Sequence, residues 1–160
     1  TFRRTVIPVQ ELLDAAGKYF KKLMKNRSER IELEIEPMEA KVIGDVNQLR
    51  FLLENLIDEA LTVREDGVIR LQARKDNEYI RFLFTDTRRE KSVEELNQLF
   101  YPNLARMTSG EKGELRGTEY LVCKQIIRDH DEFAGRRGCR INAEPAEGGG
   151  VTVYFTIPRR

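Results

Sequence analysis

Apolar and polar residues follow two periods along this chain. Leu12, Leu13, Ala16, Tyr19, Phe20 and Leu23 recur at helical spacing and predict a helix to about Asn26. Before it, "FRRTVIPV" reads as a short edge strand. It ends at Pro8, whose fixed φ and missing donor suit a strand-to-helix junction. "IELEIE" alternates strictly and predicts a half-buried strand, and "KVIGD" is a short extended piece. "VNQLRFLLENLIDEALTV" carries one apolar stripe, Leu49, Leu52, Leu53, Leu56, Ile57, Ala60 and Val63, with Asp45 as its N-cap. "GVIRLQARKDNEYIRFLFTD" is two alternating strands turning at Asp76 and Asn77. Ser92 and Glu95 make a capping box for a further helix. Residues 103 to 116 are a polar loop, "TEYLVCKQIIRDH" is the last helix, and "CRINAE" and "VTVYFTIP" are the closing strands, joined through "PAEGGG".

Hairpins mixed with helices in this order predict an α/β (α+β) fold. The expected form is a two-layer sandwich, a mixed, mainly antiparallel sheet with helices on one face. No repeat or low-complexity linker divides residues 1–160, so a single domain is expected. The first residue is Thr1, which predicts a piece, C-terminal in position, of a longer protein. The length allows a sizeable core, and the 34% charged and 40% apolar composition is that of a water-facing domain. The formal charge of +1 gives no global attraction to nucleic acid or an anionic membrane. No apolar run is long enough to cross a bilayer, and no signal peptide is evident. Cys123 and Cys139 have neither metal nor redox spacing, which points to a reducing, cytoplasmic setting.

Candidate chemistry gathers at a few positions. Asn55 and Glu59 lie one turn apart on a flank of the apolar stripe, where an amide and a carboxylate could hold a hydrated Mg²⁺ or simply face solvent. Asp86 ends a strand of apolar residues. It could accept a hydrogen bond from an exocyclic amine, or cap its own turn. Gly117 precedes a helix expected to start near Thr118, and such a start can bind phosphate through free N–H groups. Lys112 and Arg116 could add charge there. His130 stands at a helix end, where a cation complements the dipole; with no triad partner in sight, a structural or surface role is expected rather than catalysis. Arg88, Arg89 and Glu90 read most simply as a solvated loop.

Taken in order, these stretches resemble the ATP-binding catalytic domain of sensor histidine kinases, within the GHKL ATPase superfamily. "GDVNQLRFLLENLIDEAL" is similar to the family's asparagine box, "TDTRREKSVEELNQLFYP" to the first glycine box, and "GTEYLVCKQIIRDH" to the second with its helix. "GCRINAEPAEGGGVTVYFTIP" is similar to the family's ending, and the opening helix and strand also follow the pattern. The resemblance implies a five-stranded mixed sheet and a site for ATP and Mg²⁺. Asp86 would take the adenine amine, Asn55 and Glu59 the two asparagine positions of the box, and Glu59 the place beside Mg²⁺. Gly117 and Thr118 would lie at the phosphates, Phe100 would anchor the lid, and residues 103 to 116 would form it. It also implies an adjacent helical dimerisation domain carrying the phosphoacceptor histidine, and a response regulator as partner.

The departures from the family pattern fall on the nucleotide positions. Two glycines after the aspartate are Arg88 and Glu90, and two of the second box are Leu115 and Glu119. The Mg²⁺ asparagine is Glu59. A seven-residue insertion, "DEFAGRR", follows His130. These changes predict a kept scaffold with a degraded site, and an Arg88 and Glu90 loop that refills part of the nucleotide space. The alternatives are a working ATP site that uses Glu59 as Mg²⁺ ligand, or a purely structural or protein-binding domain with no nucleotide.

Overall fold

The structure, a computed structural model, describes residues 1–88, 94–95 and 112–160. Its elements run β1 (Thr5–Pro8), α1 (Val9–Met24), β2 (Ile31–Ile35), β3 (Lys41–Gly44), α2 (Val46–Ala60), β4 (Gly67–Asp76), β5 (Tyr79–Asp86), α3 (Lys112–Phe133), β6 (Ile141–Pro145) and β7 (Val151–Pro158). Five strands make one sheet in the order β2-β4-β5-β7-β6, and β1 and β3 make a separate antiparallel ribbon. Among the described residues, β2 pairs with β4 in parallel, and β4 with β5, β5 with β7 and β6 with β7 are antiparallel. The opening strand therefore pairs with "KVIG" and not with the main sheet. A bridge between Val42 and Arg159 ties the ribbon to the end of β7.

Alternation along the strands sorts the two faces. Ile69, Leu71 and Ala73 of β4, Ile80, Phe82 and Phe84 of β5, and Val151, Val153, Phe155 and Ile157 of β7 are all buried. They form one core with the apolar stripes of α1, α2 and α3. Phe82 and Phe155 are direct partners across β5 and β7, and their rings stack at 4.8 Å. The opposite face carries Gln72 and Arg74, both bonded to Glu36, and Arg81 lying over the Tyr154 ring. A sheet with one apolar face needs its helices on that face alone, which is the two-layer sandwich the pattern predicts.

Several boundaries differ from the expectation. The β4–β5 turn sits at Asn77 and Glu78, because Asp76 pairs with Tyr79. Asn77 takes φ 54°, a left-handed conformation its short side chain tolerates. Asp45 caps α2 as predicted, accepting from the Gln48 N–H at 3.1 Å. The helix ends at Ala60 rather than Val63. The amides of Thr62 and Val63 bond three residues back, to Glu59 and Ala60, so the last turn tightens and the α-helical ladder stops.

Helix α3 departs most. It starts at Lys112, six residues before Thr118, and continues through Asp131, Glu132 and Phe133 of the inserted stretch. Lys112, Glu114, Leu115 and Arg116 are all good helix formers, and Leu115 stands where the family pattern has a glycine. The insertion is not a loose loop. The Asp131 carboxylate accepts from the Gly138 and Cys139 amides. Arg136 pairs with Glu78, and the Tyr79 hydroxyl donates to the Arg137 carbonyl, which fixes the loop on the β4–β5 hairpin. Both cysteines are free thiols, and burial pushes that of Cys139 up to about 12.

His130 is a core residue, so of the structural and surface roles expected for it the structural one holds. It is 0% exposed. The Asp45 amide donates to its Nε2 at 3.1 Å, so Nδ1 carries the proton and donates to the Ile126 carbonyl at 2.8 Å. The ring thus joins α3 to the start of α2, and Phe2 meets it edge-on at 4.8 Å. A Cβ at Gly44 would lie 2.7 Å from that ring, which accounts for the glycine before Asp45. Burial lowers the His130 pKa below 6.5, against the raising effects of the Ile126 carbonyl and of Asp45 and Asp129. Around it, burial would raise the Asp45 carboxyl. The amides of Arg3, Gln48 and Asn47, and then His130, overcome this and hold it low.

The sign follows from proton counting. Below 6.5 the unfolded chain binds a proton at this residue that the folded chain refuses. This contribution is fully present above 6.5 and declines as pH falls below it, until the folded-state value is passed. Urea unfolding between pH 7.5 and 5 is expected to show a slope of up to about 1.4 kcal/mol per pH unit. The slope should be absent in His130→Asn. An equal slope in that variant would show that other groups carry it.

Candidate functional site

Strand β5 delivers Asp86 to the end of the sheet, on the face covered by helices. The residue is 3% exposed. It accepts from the Arg88 backbone N–H at 2.9 Å, so it does cap its own turn. Arg88 itself turns inward, and its side chain is only 2% exposed. Its Nε donates to Oδ1 of Asp86 at 3.0 Å and its Nη2 to Oδ2 at 3.1 Å, a two-point fork. Nη2 also donates to the Ala60 carbonyl at 2.8 Å, and Nη1 to the carbonyls of Val63 at 2.9 Å and Glu65 at 2.8 Å. The expectation of a solvated arginine fails, because the end of α2 and the residues after it present carbonyls that need donors.

The neighbourhood is shaped for this side chain. Gly67 lies at φ +149°, and a Cβ there would sit 2.5 Å from Cγ of Arg88. Thr87 donates its N–H and its hydroxyl to the Val68 carbonyl, which fixes the turn between Asp86 and Arg88. Gly150, also at positive φ, lets the β6–β7 loop reach the Asp86 carbonyl; any side chain would collide with backbone. Beside Asp86 lies a narrow cleft lined by Leu56, Ala60, Phe84, Tyr120, Val151 and Val153. Its free volume is about 10 Å³, room for roughly one water molecule. Glu90, the other half of the expected refilled loop, lies outside the described residues.

Asn55 and Glu59 are buried, at 8% and 2% exposure, so the solvated-flank reading of this side of α2 is set aside. They directly precede Leu56 and Ala60 of the cleft wall in sequence. The Asn55 Nδ2 donates to the Phe51 carbonyl at 2.7 Å, which leaves its Oδ1 as the atom it could offer a cation. With the Glu59 carboxylate this is a hard oxygen set, of the kind that suits Mg²⁺. Among the described residues, no group of three or more acidic, histidine or cysteine side chains gathers to hold a metal.

The phosphate expectation needs correction. Gly117 and Thr118 stand inside α3, not at its start. In an α-helix, amides beyond the first turn bond within the helix and are not free for an anion. Ser92, Phe100 and residues 103–111 lie outside the described residues, and residues 112–116 of the expected lid are helical. Sequence reasoning missed Gly67 and the Arg88 fork. The one available signal was an aspartate two residues before an arginine at a strand end.

A family model described as histidine kinase-, DNA gyrase B-, and HSP90-like ATPase matches residues 44–160. The chain belongs to this family. The fold of the ATPase domain is also that of known kinase structures. The catalytic domain of histidine kinase ThkA, in a nucleotide-free form, superposes with a TM-score of 0.74 at 21% identity, covering 98% of this chain and 97% of that one. The mycobacterial sensor histidine kinase MprB gives 0.73 at 20%, covering 99% of each chain. Full-length ShkA in complex with AMPPNP gives 0.74 at 15%, covering 99% of this chain and 32% of that one. A search of curated protein sequences finds no significant match. Among the described residues of this ATPase domain, no helix is long and apolar enough to cross a membrane.

Proposed function

We propose that this chain is a degenerate histidine kinase-like ATP-binding domain of a two-component-type signalling protein. It binds nucleotide weakly or not at all, and it acts through conformation and contacts with partners. The observation that carries this reading is the Arg88 fork. Both carboxylate oxygens of Asp86, the residue matched to the adenine contact, are engaged by Arg88. The cleft beside them, as the described residues line it, has room for roughly one water molecule. The helical setting of Gly117 and Thr118 supports the same reading. So does the negative charge of Glu59, which would lie near the phosphates. Any Mg²⁺ that did bind would be held by Glu59 and Asn55, and it would supply charge neutralisation for the phosphates.

The partners that fit this reading are an adjacent helical dimerisation domain and a response regulator, in a cytoplasmic setting. ThkA has been solved in complex with the response regulator TrrA, at 18% identity to this chain. No phosphoacceptor role falls to His130, which is buried between α2 and α3.

Calorimetric titration with Mg²⁺-ATP tests the reading. Like charge at Glu59 costs on the order of 1 kcal/mol or more where it faces the phosphates, at an effective dielectric of about 20. Each lost backbone contact costs roughly 0.5–1.5 kcal/mol. Wild-type affinity is therefore expected to fall about two decades or more below a micromolar site. Arg88→Gly combined with Glu59→Asn should recover at least about tenfold of it. Tight wild-type binding that these substitutions do not improve would instead identify a working site with Glu59 as Mg²⁺ ligand.

A further inference from the structure

The Arg88 guanidinium has five N–H donors. Each meets an acceptor: two carboxylate oxygens of Asp86 and the carbonyls of Ala60, Val63 and Glu65, at 2.8–3.1 Å. The acceptors come from two separate places in the chain, the end of β5 and the exit of α2. Gly67 leaves room for the stem, since a Cβ there would strike Cγ and Cδ. A side chain that merely folded back onto its neighbour would not find so complete a set. The chemistry is also selective. These five contacts are all acceptors, which suits a planar cation. Adenine presents one amine donor beside ring nitrogens that need donors in return.

We propose that the space over Asp86 is a guanidinium receptor occupied in cis. Arg88 is the resident ligand of this domain, and the class of molecule the site takes is a planar guanidinium or amidinium cation. This rests on the reading above that nucleotide no longer uses Asp86, and it adds what has replaced it. The occupant links the β5 tip to the end of α2, two elements that border the nucleotide cleft of the fold. It therefore holds the domain in one ligand-filled state without a ligand from solution.

The test is to remove the occupant and supply it again. Arg88→Ala is expected to melt roughly 6–20 °C below the wild type, from the loss of a buried ion pair in a domain of this size. Millimolar guanidinium or methylguanidinium should return much of that loss with a saturable dose response. Urea and tetramethylammonium at the same concentration should not, and the wild type should gain nothing. An unshifted melting point in Arg88→Ala, or a loss that guanidinium does not saturably restore, would overturn the proposal. Should that variant not fold, the wild type still decides the matter. Its Arg88 Nε–H should give a separate, slowly exchanging resonance by nitrogen-15 NMR, assigned by its absence in Arg88→Lys. Exchange at the rate of exposed arginines would end the idea. The two readings fail separately. Micromolar Mg²⁺-ATP binding that leaves the Arg88 resonance unchanged refutes the degenerate reading alone. Absent ATP binding with a fast-exchanging Arg88 refutes only the receptor.

Discussion

Asp86→Ala is expected to lower the unfolding free energy by about 3–5 kcal/mol. The cause is what it leaves behind. Arg88 has 2% of its side chain exposed, and three backbone carbonyls cannot neutralise a buried cation. A double replacement, Asp86→Leu with Arg88→Met, removes the charge along with its partner. It should be less destabilised than Asp86→Ala alone, because an apolar pair of similar volume costs little where a broken ion pair costs much. Denaturant unfolding of the three proteins measures this directly. A double variant worse than the single one would mean that the carbonyls of Ala60, Val63 and Glu65 depend on Arg88 more than Arg88 depends on Asp86.

A loss of similar size is expected from Phe82→Ala, about 3–5 kcal/mol. Phe82 is fully buried at the centre of β5, the middle strand of the sheet, and its ring stacks on Phe155. Truncation removes the burial and opens a cavity between sheet and helices that backbone pairing on both sides prevents from closing. At this chain length the melting point should fall by roughly 6–20 °C. Phe82→Leu should recover more than half of the loss, since it restores most of the volume. If it does not, the stacked geometry rather than the buried volume carries the stability.

The scaffold was legible in the sequence because its signals are periodic and local. Leu49 to Ala60 at helical spacing and Ile80, Phe82 and Phe84 at strand spacing each place a core face without any distant information. The start of α3 was not legible. Residues 103 to 116 read as a polar loop and Gly117 as the residue before a helix, and no apolar stripe runs through Lys112–Arg116 to oppose that reading. The candidate site was legible only in part. Spacing put Asn55 and Glu59 on a flank of α2, but their burial depends on what the rest of the chain lays over that flank. Arg88 was misread for a plainer reason. Three of its partners are main-chain carbonyls, which leave no trace in residue identity, and an Arg-Arg-Glu run looks solvated whatever it touches. His130 fell between these cases. Its helix-end position could be foreseen, but its bond to the Asp45 amide spans 85 positions.

The turn from Asp86 to Arg88 has a consequence for mass action. A diffusible occupant fills its site according to its concentration, so its effect rises and falls with supply. Arg88 is tethered two residues from the carboxylate it satisfies, and that tether fixes its effective concentration for the life of the chain. Dilution does not empty the Asp86 contact, and its occupancy does not track a cell's pool of small molecules. Where a diffusible ligand would make the joint between β5 and α2 a gauge of supply, an occupant carried in cis makes it a constant.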